Sequence, residues 1–253
     1  MRHARFREWA ALALLVTALP ATATSPVPVM IGASRDGALH ALQKVVDRYL
    51  GPGRVSVGAD YVGAHAGDPD PWMWTSVSGR GVEVSLVQKK LSSGAFGWYR
   101  EGLGEPQLDG VNSGLLFGQG RPRWARQSVR LPASVTQFGF YVVREAGGHA
   151  IDGDDEPCTF FSNRKLNDVG PHGSGAVHAP TDGDVQMLIY DISRWSTPDT
   201  WLVACEFSDS GCRLGHGDGQ SDNDFSDLVF TVSGVGVTPT KASSFGRLKA
   251  MFR

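Results

Sequence analysis

Apolar residues in this 253-residue chain come in short bursts separated by Gly, Asp, Pro and Ser. Within most bursts they alternate with polar or small residues, which is the period of a strand rather than a helix. Strands are predicted over 55–57, 72–77, 82–87, 95–99, 115–117, 137–143, 159–161, 185–190, 200–207 and 225–232. About ten short strands with turn residues between them predict an all-β fold, a two-sheet antiparallel β-sandwich. In the strand at 200–207, Trp201, Val203, Cys205 and Phe207 share one face; in the strand at 225–232, Leu228, Phe230 and Val232 do. One early run has a different period. Leu39, Leu42, Val45, Val46, Tyr49 and Leu50 recur at three- and four-residue spacing, with Ser34 or Asp36 placed to cap and Gly51-Pro52 to stop. This predicts one short N-terminal helix, with His40, Lys44, Asp47 and Arg48 on its polar face, covering an open end or face of the sheets.

The chain ends break the pattern in another way. Arg2, Arg5 and Arg7 precede an apolar run over 9–19, and Ala21-Thr22-Ala23 offers small residues for cleavage. That arrangement predicts a signal peptide over 1–23, because the run is far shorter than the roughly 20 residues a bilayer span needs. The expected organisation is then an N-terminal segment with the helix over 24–53, a sandwich over 54–236 and a short basic amphipathic tail over 237–253. In the tail, Phe245, Leu248 and Phe252 alternate with Arg247, Lys249 and Arg253. It reads as a helix docked on the sandwich, with a sorting signal or an anionic-surface contact as the alternatives.

Charge and cysteines narrow the classes. The formal net charge is −2, and no basic stripe with interleaved aromatics occurs, which argues against a nucleic-acid partner. An exported chain meets an oxidising compartment, so Cys158, Cys205 and Cys212 are disulfide candidates. Cys205 with Cys212 closes a short loop and is the expected pair; a bridge from Cys158 to either is the competitor. No C-x-x-C spacing supports a zinc ribbon or a redox pair. G-x-S-x-G, H-E-x-x-H, a phosphate-binding loop and a dinucleotide fingerprint are all missing from the sequence.

The densest chemistry lies in the polar stretch after 200–207. Glu206, Asp218, Asp222, Asp224 and Asp227 crowd around a glycine-rich loop that leads into the last long strand. Carboxylates this close repel unless a cation or solvent neutralises them. A hard cation with six to eight oxygen ligands suits them, so a structural calcium ion is expected there. The loop is not an EF-hand, since Asp227 stands where glycine is needed and Ser233 where the bidentate Glu belongs. The competing reading is a solvated turn, because Asp, Asn, Ser and Gly also dominate ordinary turns. Two further acidic groups, Asp68 with Asp70 and Asp152, Asp154, Asp155 with Glu156, are candidates for a further cation site, the second also for sharing the first, but turns are the preferred reading for the same reason. Trp72, Trp74 and Trp98 are either core residues or sugar-stacking platforms, and His178 is left without a role.

The segment SDNDFSDLVFTV, preceded by the strand LVACEF, resembles the bacterial secreted family called domain of unknown function 4114. Asp222, Asp224, Phe225, Asp227, Leu228 and Val229 match its closing D-x-D-[FY]-x-D-[LV]-[VF] motif, and Glu206 stands at its acidic strand end. TFFSNRKLND, Ala176 to His178 and FGWY at Phe96 to Tyr99 are also similar to familial segments. Ser226 replaces the Asn that members carry before the last Asp. The resemblance implies a secreted, calcium-binding sandwich and supplies no activity. Two functions from different classes follow. One is a non-catalytic extracellular module whose calcium braces loops for adhesion or for cell-surface or matrix assembly, its partner an extracellular protein or glycan. The other is a carbohydrate-binding or carbohydrate-active protein that uses exposed tryptophans.

Overall fold

The computed structural model describes residues 31, 41–62, 73–77, 81–90, 95–100, 106, 108–118, 128–144, 158–163, 187–206 and 224–238. In chain order the elements are α1 (Leu42–Leu50), β1 (Met73–Ser76), β2 (Glu83–Lys89), β3 (Ala95–Arg100), β4 (Ser113–Phe117) and β5 (Ser128–Arg130). They continue as β6 (Gln137–Arg144), β7 (Cys158–Phe161), β8 (Met187–Asp191), β9 (Thr200–Cys205), β10 (Leu228–Ser233) and β11 (Val235–Thr238). The strands form two antiparallel sheets. One has the order β11-β1-β6-β3-β4, with β7 also paired to β6; the other has the order β5-β2-β10-β9-β8. β1 pairs with Gln137 and Phe138, whereas β7 pairs with Tyr141 to Arg144, so both lie along β6 without competing for it. The expected all-β two-sheet sandwich with one short helix is what the chain forms.

Period-two alternation fills the space between the sheets. Phe96, Phe140 and Trp74 come from the six-stranded sheet, and Val84, Val203, Cys205, Leu228, Phe230 and Val232 from the other. The centre is aromatic: the ring of Phe230 lies 4.5 Å from Phe96 and 5.0 Å from Phe140, centroid to centroid, tying one sheet to the other. The inward sets expected from β9 and β10 are therefore found, with Trp201 partly buried at the rim of the same cluster; Phe207 lies outside the described residues.

The helix covers the outer face of the five-stranded sheet. Leu42, Val45, Val46 and Leu50 cluster with Leu188, Tyr190, Leu202, Ala204 and Val229, the residues that alternate with the inward set. β8, β9 and β10 are thus buried on both faces, which explains their near-continuous apolar runs. The helix begins later than expected. Ala41 has extended φ and ψ of −56° and 141° and makes no side-chain cap, so neither Ser34 nor Asp36 caps this helix. Tyr49 is 43% exposed instead of joining the buried stripe. Gly51, at φ 100°, ends it as expected, its N–H donating to Asp47 O.

The segment at 55–57 is not a strand. Its backbone groups are satisfied elsewhere: the Gln43 side chain donates to Val55 O and accepts from Val57 N, and Tyr190 Oη donates to Val57 O. Once those partners are taken, no ladder is needed. β5 and β11 have no counterpart among the expected strands, and β11 carries the sandwich to Thr238, past the expected boundary at 236.

Candidate functional site at the end of the central hairpin

β9 and β10 pair from Ser233 opposite Thr200 to Leu228 opposite Cys205. Just beyond that last pair stand Glu206 and Asp227, so the register brings the expected acidic residues of the two strand ends together. Glu206 is only 2% exposed, and its Oε2 accepts the Phe225 N–H at 3.2 Å. Phe225 has φ of 51°, a left-handed conformation that costs a non-glycine residue energy and that surrounding packing must hold in place. Its ring is buried in the helix-side cluster, which supplies that packing.

Asp224 is engaged at both carboxylate oxygens. It is 1% exposed. Oδ1 accepts from the Ser226 N–H at 2.8 Å and from Ser226 Oγ at 2.7 Å, and Oδ2 lies 2.8 Å from Lys90 Nζ. The Lys90 side chain is 9% exposed, so this is a buried ion pair with charge-assisted hydrogen bonds. Lys90 N also donates to the backbone oxygen of Asp227, and Gln88 Nε2 donates to that of Ser226. Gln88 is 1% exposed, and its Oε1 has no hydrogen-bond partner among the described residues. Asp227 itself is half-buried.

Alternation along the end of β2 sends the two lysines opposite ways. Lys89, paired with Leu228, is buried and donates from Nζ to Gly118 O; burial lowers its pKa. Lys90 turns to Asp224. Neither lysine figured in the sequence reading, although two adjacent cations closing an apolar strand are the signal that could have found them. Ser226, which had drawn notice only as a departure from the resembled motif, bonds Asp224 through both its N–H and its hydroxyl.

Of the five expected ligands, Glu206, Asp224 and Asp227 are described, and Asp218 and Asp222 lie outside the described residues. Among the described residues no three His, Cys, Asp or Glu side chains gather as a group that could hold a metal ion. The groups around Asp224 include the Lys90 ammonium and the Ser226 N–H, which already supply its counter-charge and hydrogen bonds. Gln88 Oε1 is the one buried oxygen there that the described residues leave unfilled.

Cys205 corrects an expectation. It is a free thiol, fully buried between the sheets, rather than half of a bridge to Cys212. Its side chain belongs to the inward set of β9, so a disulfide partner would have to enter the core. Burial pushes the thiol well above the usual range, and the nearby Asp227 and Glu206 charges add to the shift. Cys212 lies outside the described residues, as does the side chain of Cys158.

Trp74 and Trp98 are core residues, with Trp74 packed edge-on against Phe140 and Trp201. They offer no exposed stacking face. Trp72, His178, Asp68 with Asp70, the acidic group at 152–156, the segment at 1–23 and the tail beyond 238 lie outside the described residues. No helix among the described residues is long and apolar enough to cross a membrane. No family model, curated protein or solved structure matches the chain.

Proposed function

We propose that the chain is an exported, non-catalytic β-sandwich module whose β9–β10 loop takes a structural calcium ion, and that the braced loop serves extracellular adhesion or cell-surface or matrix assembly. One observation carries the reading. Glu206 and Asp227 close β9 and β10, paired neighbouring strands that are both buried on both faces, so the acidic stretch between them joins two well-packed strand ends. In this reading Asp218 and Asp222 provide the loop's own carboxylates, and Glu206 and Asp227 stand at its base. Asp224 has both oxygens engaged by protein donors and serves first as an anchor. The resemblance of this segment to a secreted calcium-binding family points the same way. The carbohydrate-directed alternative loses support, because two of its three platforms, Trp74 and Trp98, are buried.

Thermal melting of the chelator-treated full chain tests the calcium reading. Millimolar calcium is expected to raise the midpoint, by the equivalent of about 2.7 kcal/mol at a hundredfold excess over Kd. Magnesium, which demands a stricter octahedron, is expected to do far less. An unchanged midpoint in calcium overturns the reading and leaves a solvated acidic turn.

A further inference from the structure

We infer that the turn entering β4 protects its own Asp109–Gly110 linkage from isomerisation to isoaspartate, an inference independent of the calcium reading. The chain holds five Asp-Gly pairs, beginning at 36, 109, 152, 182 and 218, and the pair at 109 is the one among the described residues. Glycine after aspartate favours this chemistry, because no side chain hinders the glycine nitrogen as it approaches the carboxyl carbon. A bond forms from Gly110 N to Asp109 Cγ; the nitrogen gives up its proton, and the Cγ–O bond breaks with loss of water. Water then opens the resulting succinimide at the former main-chain carbonyl, which leaves the main chain running through Cγ.

The turn needs both residues of the pair. Gly110 has φ of 77°, in the left-handed region that favours glycine. Asp109 supplies the acceptor that closes the turn. Its Oδ1 accepts the N–H groups of Val111 at 2.9 Å and Asn112 at 2.8 Å, and its Oδ2 accepts Asn112 Nδ2 at 3.2 Å. Asp109, Gly110, Val111 and Asn112 are all exposed, so burial does not shield the linkage from water.

Hydrogen bonding restrains both reactants instead. Attack needs a protonated carboxyl, since an ionised one is a poor electrophile and cannot lose water. The main-chain N–H groups of Asn112 and Val111 hold the Asp109 carboxyl below the usual range, so it stays ionised. The Gly110 N–H donates to Ser113 Oγ at 3.2 Å, and Ser113 is only 3% exposed, so its hydroxyl is anchored. The Arg100 N–H donates to Asn112 O and ties the turn to β3. Carboxylate and nitrogen must both be released before Gly110 N can turn to Cγ. Isomerisation would add a carbon to the main chain and remove the acceptor of Val111 and Asn112, so the lock preserves the entry of β4.

Incubation of the full chain in mildly acidic buffer, folded and in denaturant, tests this, with isoaspartate at 109 read by peptide mass spectrometry. Ser113→Ala releases the Gly110 N–H. Cys205→Ala weakens the core from the other sheet and is the control for general destabilisation. Isoaspartate at 109 is expected to form about tenfold or more slowly in the folded chain than in the denatured one. Folded Ser113→Ala should form it several-fold faster than the unmodified chain, and folded Cys205→Ala no faster. Equal rates in the folded and denatured chain overturn the inference. So does a Ser113→Ala rate no higher than the unmodified one, or a Cys205→Ala rate that matches Ser113→Ala, since global unfolding would then set the pace. Should Ser113→Ala not fold, the comparison of folded with denatured chain decides alone.

Discussion

Lys90 Nζ lies 2.8 Å from Asp224 Oδ2, joining the end of β2 to the turn that opens β10 across 134 residues of chain. Both partners are almost wholly buried, so the effect of breaking the pair is dominated by the charge left behind. Lys90→Met is expected to lower stability by about 3–5 kcal/mol. Asp224→Asn strands the ammonium against an amide N–H2, but it should cost less, since Ser226 keeps its acceptor and Lys90 is the partner nearer solvent. The double substitution should cost clearly less than the sum of the two. Denaturant unfolding of the four proteins measures the coupling, and additive effects would show that the pair contributes little.

Calcium-free buffer should separate the acidic residues into two kinds. Asp224→Asn is expected to destabilise there, because its partners are Lys90 and Ser226. Asp218→Asn and Asp222→Asn are expected to leave stability unchanged or slightly raised without calcium, by relieving repulsion, and to reduce the stabilisation calcium brings. Melting curves in chelator and in calcium would distinguish the groups. Equal losses in chelator from all three substitutions would contradict this division.

Two glycines on neighbouring strands should resist substitution for different reasons. Gly97 faces Tyr141 and Gly139 faces Tyr99 across the β3–β6 ladder. A Cβ at Gly139 would collide with the Tyr99 ring, whereas one at Gly97 would meet the Tyr141 ring and also the backbone oxygen of Gly114. Rings can shift at some cost, but a paired backbone cannot. Both alanine variants should lose about 1–3 kcal/mol, with Gly97→Ala the worse. Equilibrium unfolding gives the order, and a milder Gly97→Ala would refute the backbone argument.

The Cys205 thiol makes stability depend on alkaline pH. Its folded pKa is raised by burial, so between the ordinary thiol value of about 8.5 and the higher folded value the unfolded chain releases a proton that the folded chain keeps. Stability contributed by the neutral buried thiol is complete below about pH 8.5 and falls as pH rises above it. Tyr190, also raised by burial, adds a similar loss from about pH 10 upward. Cys205→Ala should lower stability at neutral pH through the cavity it leaves, yet flatten the fall between about pH 8.5 and 10. Unfolding free energies across that range measure the slope. An unaltered slope would mean that another group carries it.

The alternation of apolar residues was enough to locate most of the long strands of this protein, because a sandwich strand must present every second side chain to the core. Leu228, Phe230 and Val232, and Val203 with Cys205, could be assigned to one face from spacing alone. The helix stripe through Leu42, Val45, Val46 and Leu50 was equally plain, but its first turn was not, since Ala41 leaves no side-chain cap to read. β5, with the sequence Ser-Val-Arg, is too short to carry a period, and only pairing with β2 makes it a strand. The segment at 55–57 has strand-like residues but gives its backbone bonds to Gln43 and Tyr190, which no local pattern reveals. The acidic stretch was visible as composition, and the nearness of Glu206 to the start of β10 followed from expecting the two strands to neighbour each other. What only the tertiary structure decided is the counter-charge. Lys90 reaches Asp224 because β2 lies beside β10 in the sheet, and strand order is set by packing of whole faces rather than by any residue near Asp224.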